Sequence, residues 1–337
     1  MRPRKVVTPD LFIDTLTAYQ NSAALKTAVE LDIFSHVAQG IDTPPKLAQK
    51  CGTSGRGMRM LCDAMAVLGF LYKRTDNYLL TDVSKKFLNR ESPDYFGGAV
   101  EWMMSDRMIE GYSRLTEAVI KGGTVLEDSS SLDPENPMWV RFAKLMGPMV
   151  APFAEAAANK IEMDTARPLR VLDIAAGHGL YGIAAGRKYP NAQIYALDWK
   201  NVLEVARENA ERAGVTSRYH TIEGSAFDVD LGDNWDVILI TNFLHHFDFD
   251  TNVGLLRKVI AGLNRDGRVI TVDFMPAMSR ITGKRESLFA LTMLVGTPSG
   301  DAYTFQELAQ MFAKVGFGKS EHFPIKGTPQ HIMVSIF

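Results

Sequence analysis

Cysteine is nearly missing from this chain: 337 residues carry two, Cys51 and Cys62. Two thiols make neither a disulfide framework nor a metal-holding knuckle. Both fall beside apolar helical stretches, which reads as buried free thiols. No apolar run reaches the length of a membrane span. The opening Met1-Arg2-Pro3-Arg4-Lys5 is basic, but no apolar signal core follows it. Neither sign of charge dominates: 37 Lys and Arg stand against 39 Asp and Glu, a net of −2. That balance offers no broad field to nucleic acid or an anionic membrane. Histidine is sparse at 7 residues, and no pair has metal-ligand spacing with a carboxylate, so no metal site is expected. Internal repeats and low-complexity tracts are absent. A cytoplasmic protein of two domains with substantial cores is the default reading.

Methionine, by contrast, is plentiful at 16 residues. Several stand where a pocket for a flat apolar ligand could be, and Met packs adaptably in such places. From Thr8 to about Glu91 the pattern is mostly helical. Thr8-Pro9-Asp10 signals a helix start before Leu11, Phe12 and Leu16. Asp42-Thr43-Pro44-Pro45 and Thr53-Ser54 open two more helices, the second with Met58, Leu61, Cys62, Met65 and Leu68 on one face. Phe70–Lys73 and Tyr78–Thr81 then read as a small hairpin. Three helices and a hairpin form a winged-helix pattern. Arg56 and Arg59 on its third helix raise a DNA-binding reading, but Asp63 and the near-neutral charge oppose it. Packing and dimerisation suit the domain better. A helical connection follows from about Tyr95 to Asn159, interrupted by Asp128-Ser129-Ser130-Ser131, Pro134 and Pro137. Strands alternating with helices are expected from there on: Arg170–Asp173, Gln193–Asp198, Ser217–Glu223, Trp235–Thr241, Gly267–Phe274, and near Phe317–Phe323 and His331–Phe337.

The densest information lies in Val171-Leu172-Asp173-Ile174-Ala175-Ala176-Gly177-His178-Gly179-Leu180-Tyr181-Gly182. An apolar strand ends on an acid, a small-residue turn follows, and a helix begins. A second strand, Gln193-Ile194-Tyr195-Ala196-Leu197, ends on Asp198. This order describes a nucleoside-type cofactor across the carboxyl ends of a parallel sheet, its ribose hydroxyls held by the second acid. Gly177, Gly179 and Gly182 satisfy the dinucleotide pattern Gly-x-Gly-x-x-Gly. Asp173 argues the other way. A carboxylate before the glycines would repel a pyrophosphate, yet it could help hold a sulfonium or an ammonium group. S-adenosyl-L-methionine is therefore favoured over a dinucleotide.

With these residues in view, the chain resembles the small-molecule O-methyltransferases of the plant caffeate and acetylserotonin type. Their bacterial relatives act on polyketides, phenazines, carotenoids and bacteriochlorophyll pigments. The resemblance spans nearly the whole chain. It is sharpest at Leu172–Gly179, Leu197-Asp198, Ile240–Asp248, Thr297-Pro298-Ser299-Gly300, Phe305-Gln306-Glu307-Leu308 and Lys314-Val315-Gly316-Phe317. It implies an α/β fold: a class I methyltransferase Rossmann-like sheet with an N-terminal, mainly helical winged-helix dimerisation domain. The expected domains are 1–94 for dimerisation, 95–160 for a helical linker and substrate-pocket segment, and 161–337 for the S-adenosylmethionine-binding domain. It also implies a homodimer through the N-terminal domain, a small-molecule acceptor, and neither nucleic acid nor membrane as partner.

Cofactor contacts carry over to Asp173, Gly177, Asp198 and the strip Gly224-Ser225-Ala226-Phe227, with Ala175, Trp199, Thr241 and Asn242 beside them. Ser225 replaces the family's acid, and Ala175 and Ala176 replace glycines. His245 occupies the family's general-base position, and a neutral imidazole suits removal of a proton from a phenol. Of the two family acids that orient this base, one falls on Asp273, a shorter acid, and the other on Ala302, beside Asp301 and Tyr303. A less firmly held base is expected. Asp273 is placed with His245 in the catalytic set, His246 reads as helix-start structure, and His178 is given no catalytic role. Trp102, Met103, Phe142, Met146, Met149, Met293 and Leu294, with His245, are the candidates for a pocket that takes a flat, apolar acceptor. O-methylation leads. The altered base set keeps open C-methylation of a pigment or polyketide carbon, or a non-methylating reaction, and a ligand-responsive winged-helix regulator ranks last.

Overall fold

The computed structural model describes residues 7–126 and 137–337. The expected breaks at Asp128–Ser131 and Pro134, and the basic Met1–Lys5 segment, lie outside these residues. The described chain divides between Ser105 and Asp106 into two compact units.

In the first unit, α1 (Asp10–Glu30), α2 (Ile33–Ala38), α3 (Pro44–Cys51) and α4 (Gly55–Val67) precede the hairpin β1 (Leu71–Arg74) and β2 (Asn77–Leu80), then α5 (Asp82–Phe87) and α6 (Ala99–Met103). The third expected helix starts where its signal stands: the Ser54 hydroxyl accepts from Gly57 N at 3.0 Å. The hairpin sits one residue off the expected bounds, because its turn is only Thr75-Asp76, with Thr75 at φ 54° and Arg74 opposite Asn77. The unit's core includes Ile33, Phe34, Leu47, Met58, Met65 and Tyr78, and Cys62 is buried within it while Cys51 is half-buried. Asp63 accepts from Arg59 at 2.9 Å and from Tyr78 at 2.7 Å, so one of the two arginines behind the DNA reading is already paired. Helix α1 is different: it buries only Ala28 and Val29, while Leu11, Phe12, Leu16 and Tyr19 are exposed.

The second unit begins with α7 (Asp106–Ser113), α8 (Leu115–Lys121) and α9 (Pro137–Asn159). Then come β3 (Arg170–Ile174), α10 (Leu180–Lys188), β4 (Gln193–Asp198), α11 (Lys200–Arg212), β5 (Tyr219–Glu223), β6 (Trp235–Thr241), α12 (Phe249–Gly262), β7 (Leu263–Phe274), α13 (Lys284–Gly296), α14 (Phe305–Val315), β8 (Lys319–Pro324) and β9 (Gln330–Ile336). The seven strands lie in the order β5-β4-β3-β6-β7-β9-β8. The first five are parallel, and β9 is antiparallel to both β7 and β8. β7 begins earlier than expected because Leu263 pairs with Trp235 ahead of a register shift. β6 is buried at every position, as a central parallel strand covered on both faces must be. Its one acid, Asp236, accepts from Arg167 at 2.7 Å, Arg170 N at 2.8 Å and Asn264 at 3.0 Å. Two apolar layers close the sheet, one including Phe153, Tyr181 and Leu203, the other including Leu256, Met311 and Phe312. β4 and β6 flank β3 on opposite sides, so the chain order reverses at β3. Beyond the carboxyl ends of such strands an open α/β sheet leaves a crevice. Among the described residues no helix is long and apolar enough to cross a membrane.

Candidate functional site

A cavity opens at that switch point. The turn after β3 forms its floor. Ala175 and Gly177 lie in the left-handed region at φ 53° and 56°, so Ala175 adopts a conformation that a glycine would enter more cheaply. Asp198, at the end of β4, ties the turn in place. Its Oδ2 accepts from Gly177 N at 2.8 Å and its Oδ1 from Trp199 N at 2.7 Å. Each oxygen keeps acceptor capacity for a ligand. Burial pushes this carboxyl up to about 6. Asp173 is fully buried beneath the turn and is not on the cavity wall. Its Oδ2 accepts from Gly182 N at 2.9 Å, while Oδ1 has no partner. A Cβ on Gly182 would lie 2.9 Å from that Oδ2 and 2.8 Å from Ile194 Cγ2, which is why the third glycine is needed. Desolvation lifts Asp173 to about 8.

The strip Gly224–Phe227 forms the opposite wall. Gly224 N donates to the Asp198 carbonyl at 3.0 Å. The Ser225 hydroxyl accepts from Phe227 N at 3.1 Å. Lys258, on α12, donates to the carbonyls of Ala226, Phe227 and Val229 at 2.9, 2.8 and 2.8 Å. One ammonium thus gathers three carbonyls of the loop, a role with no sequence signal. Thr241, the last residue of β6, and Asn242 after it stand on the wall. Asn242, at φ 51°, is held by Gln330 (2.5 Å) and Tyr181 (3.2 Å), which also bond each other at 3.3 Å.

The histidine turn comes next. Leu244–His246 is a short 3-10 turn, and α12 starts only after Asp248, whose side chain accepts from Thr251 N at 2.8 Å. His246 is therefore not helix-start structure: its ring lines the cavity, edge-on to Trp139 at 5.6 Å, with Nδ1 buried and unpartnered. Burial and the neighbouring His245 push its pKa well down. His245 is buried and off the cavity wall. Its Nδ1 lies 2.6 Å from Asp273 Oδ1, which also accepts from Phe274 N at 2.8 Å. The Phe289 ring stands edge-on to the imidazole at 4.9 Å.

The shortened acid predicts a loosely held histidine, and the geometry differs. Asp273 reaches it directly, because β7 ends beside the turn. Ala302 is buried and supplies no acid, but its loop grips the backbone instead: Asp301 N donates to the His245 carbonyl at 3.0 Å. A Cβ on Gly300 would collide with that carbonyl. Asn252 and Tyr303 fasten Phe247 O at 3.3 and 2.7 Å.

Of the expected cofactor residues, all but Asp173 line the cavity. The pocket residues fare differently. Phe142 is on the wall, while Met146, Met149, Met293, Leu294 and His245 are not. Met146 and Met293 are buried, and Met149 packs into the core. Trp102 and Met103 belong to the first unit. Trp139, Phe243 and Phe247 line the cavity and were missed. Trp139 stands three residues before Phe142 on α9, a helical spacing that could have found it.

The residues present suit S-adenosylmethionine. An acid with spare acceptor capacity meets a diol, apolar and aromatic walls (Leu197, Trp199, Phe227) meet a flat base, and among the described residues no Lys or Arg lines the cavity for a pyrophosphate. Among the described residues no cluster of His, Cys, Asp and Glu could hold a metal ion.

Comparison with known proteins agrees. The profile of an O-methyltransferase domain matches residues 141–318, and that of an O-methyltransferase dimerisation domain matches 13–90. A Nostoc punctiforme PCC 73102 structure, described as a presumed O-methyltransferase, is 49% identical, covers 98% of this chain and 99% of its own, and superposes with a TM-score of 0.92. Human N-acetylserotonin methyltransferase, solved with S-adenosylmethionine, shares the fold at a TM-score of 0.85 and 18% identity, covering 100% and 99% of the two chains. The 3-hydroxy-5-methyl-1-naphthoate 3-O-methyltransferase of Streptomyces sahachiroi is 27% identical over 91% of this chain and 89% of its own. The chain belongs to the S-adenosylmethionine-dependent O-methyltransferase family.

Proposed function

We propose that this enzyme transfers the methyl group of S-adenosylmethionine to a hydroxyl of a small aromatic metabolite and works as a homodimer through its N-terminal unit. The observation that carries the reading is the buried His245–Asp273 pair beside a cavity built for a nucleoside. The bound cofactor supplies an electrophilic methyl group. Ala175, Gly177, Asp198, Trp199, Gly224–Phe227, Thr241 and Asn242 hold and orient it, and Asp173 braces the turn from beneath through Gly182 N. Asp273 accepts the Nδ1 proton of His245, which leaves Nε2 as the basic atom for the acceptor hydroxyl. Proximity supplies the rest of the acceleration. Trp139, Phe142, Phe243 and Phe247 favour a flat ring, and the Streptomyces relative's naphthoate substrate is of that kind.

A second reading, methyl transfer to carbon or no transfer at all, draws on the burial of His245 away from the cavity wall. Incubation with methyl-labelled S-adenosylmethionine and a panel of hydroxylated naphthoates and other phenols separates these by product mass. A labelled methyl ether supports the proposal. A carbon-methylated product, or turnover without label transfer, replaces it with the second reading.

A further inference from the structure

Among the described residues no Lys or Arg lines the cavity to meet the carboxylate that S-adenosylmethionine carries at its amino-acid end. The usual substitute is a set of free amides at a helix start, and here these are largely taken. Gly177 N bonds Asp198, Leu180 N bonds His178 Nδ1 at 3.2 Å, and Gly182 N bonds Asp173. Two nearby side-chain donors are also engaged: Tyr181 donates to Gln330, and Asn242 Nδ2 to Tyr181. Within the turn itself, Ala175–Gly179, His178 is the one side chain that can donate. It is 4% exposed, stands inside the turn and lines the cavity. Because Nδ1 accepts a backbone N–H, the neutral ring carries its proton on Nε2. Burial pushes its pKa down to about 4, so the ring keeps this form at neutral pH. Asn209, on α11, holds the His178 carbonyl at 2.8 Å and fixes the residue's backbone.

We propose that His178 recognises the amino-acid end of the methyl donor by donating Nε2–H to its carboxylate. The inference rests on the S-adenosylmethionine reading of the cavity. It makes His178 a binding residue with no part in proton removal.

Two probes separate the ends of the ligand. S-adenosylhomocysteine has the amino-acid end, and 5′-methylthioadenosine lacks it. Calorimetry on the full chain should show a clear preference for the first. His178→Asn keeps an oxygen where Nδ1 accepts from Leu180 but does not reach the Nε2 position. It should weaken S-adenosylhomocysteine about 10- to 100-fold, the range for a hydrogen bond to a charged group, and leave 5′-methylthioadenosine unchanged. His178→Gln places an amide nitrogen near Nε2 and should keep part of the preference. An undiminished preference in His178→Asn overturns the proposal, as does equal weakening of both probes. Wild-type protein that binds both probes equally also overturns it, while leaving the nucleoside site intact. Wild-type protein that binds neither removes the cofactor reading itself.

Discussion

His245 Nδ1 and Asp273 Oδ1 stand 2.6 Å apart, with both side chains buried. The pair fixes the imidazole's orientation, and it makes a direct prediction for the chemical step. His245→Ala should lower kcat about 10²- to 10⁴-fold while leaving S-adenosylhomocysteine affinity nearly unchanged. Asp273→Asn should lower kcat in the same direction by a smaller factor, because the ring persists but its orienting charge is gone. The deficit should shrink for phenols of lower pKa. Normal turnover by His245→Ala would remove the base role.

Asp198 joins the turn to Trp199 through both its oxygens. Asp198→Ala should weaken S-adenosylmethionine by about 1.5–3 kcal/mol, the range for a charged hydrogen-bonding partner. Since burial lifts this carboxyl to about 6, affinity should also fall as pH drops below that value in the wild type. Calorimetry with S-adenosylhomocysteine over that range checks both. Unchanged affinity in a folded variant contradicts the ribose assignment.

Asp173 makes the ligand-free protein sensitive to alkali. Its folded pKa, about 8, is raised above the ordinary 3.8. Its stabilising contribution is therefore complete below the ordinary value and is lost as pH rises through the folded value. Asp173→Asn should flatten this dependence, so the variant gains on the wild type between about pH 5 and pH 9. Melting temperatures across that span are the measurement. Parallel profiles for the two proteins would refute the assignment.

Lys258 is the anchor of the Gly224–Phe227 wall. Lys258→Met keeps most of the aliphatic stem and leaves three carbonyls without their donor. It should cost about 1–3 kcal/mol of stability and weaken S-adenosylhomocysteine through a loosened 224–229 loop. Urea melts and calorimetry report the two effects separately. A variant with wild-type affinity would show the loop to be held by other means.

Helix α1 exposes Phe12 at 67% and Leu16 at 59%, which an isolated chain would not favour. The protein should sediment as a dimer, and Phe12→Asp with Leu16→Asp should shift it toward monomer. Sedimentation equilibrium decides. A double variant that stays dimeric would place the interface elsewhere.

Sequence alone settles the alternation of strands and helices from β3 onward, because apolar runs ending on Asp173, Asp198 and Thr241 are local signals. It also locates the glycine turn, since Gly177, Gly179 and Gly182 answer to backbone conformation and close approach, which neighbouring residues reveal. The floor and one wall of the cavity follow from these local patterns. What sequence leaves open depends on contacts between distant segments. Asp273 meets His245 only because β7 lies beside β6, and the loop at Gly300 clamps a histidine turn far from it in the chain. Lys258 grips the carbonyls of Ala226, Phe227 and Val229 across a similar gap, and no periodicity marks a lysine for that task. His246 turns out on the cavity wall and His245 behind it, although the two are adjacent and chemically identical. A 3-10 turn sends successive side chains in different directions, and its path is set by Asn252, Tyr303 and Asp301 rather than by the turn's own residues.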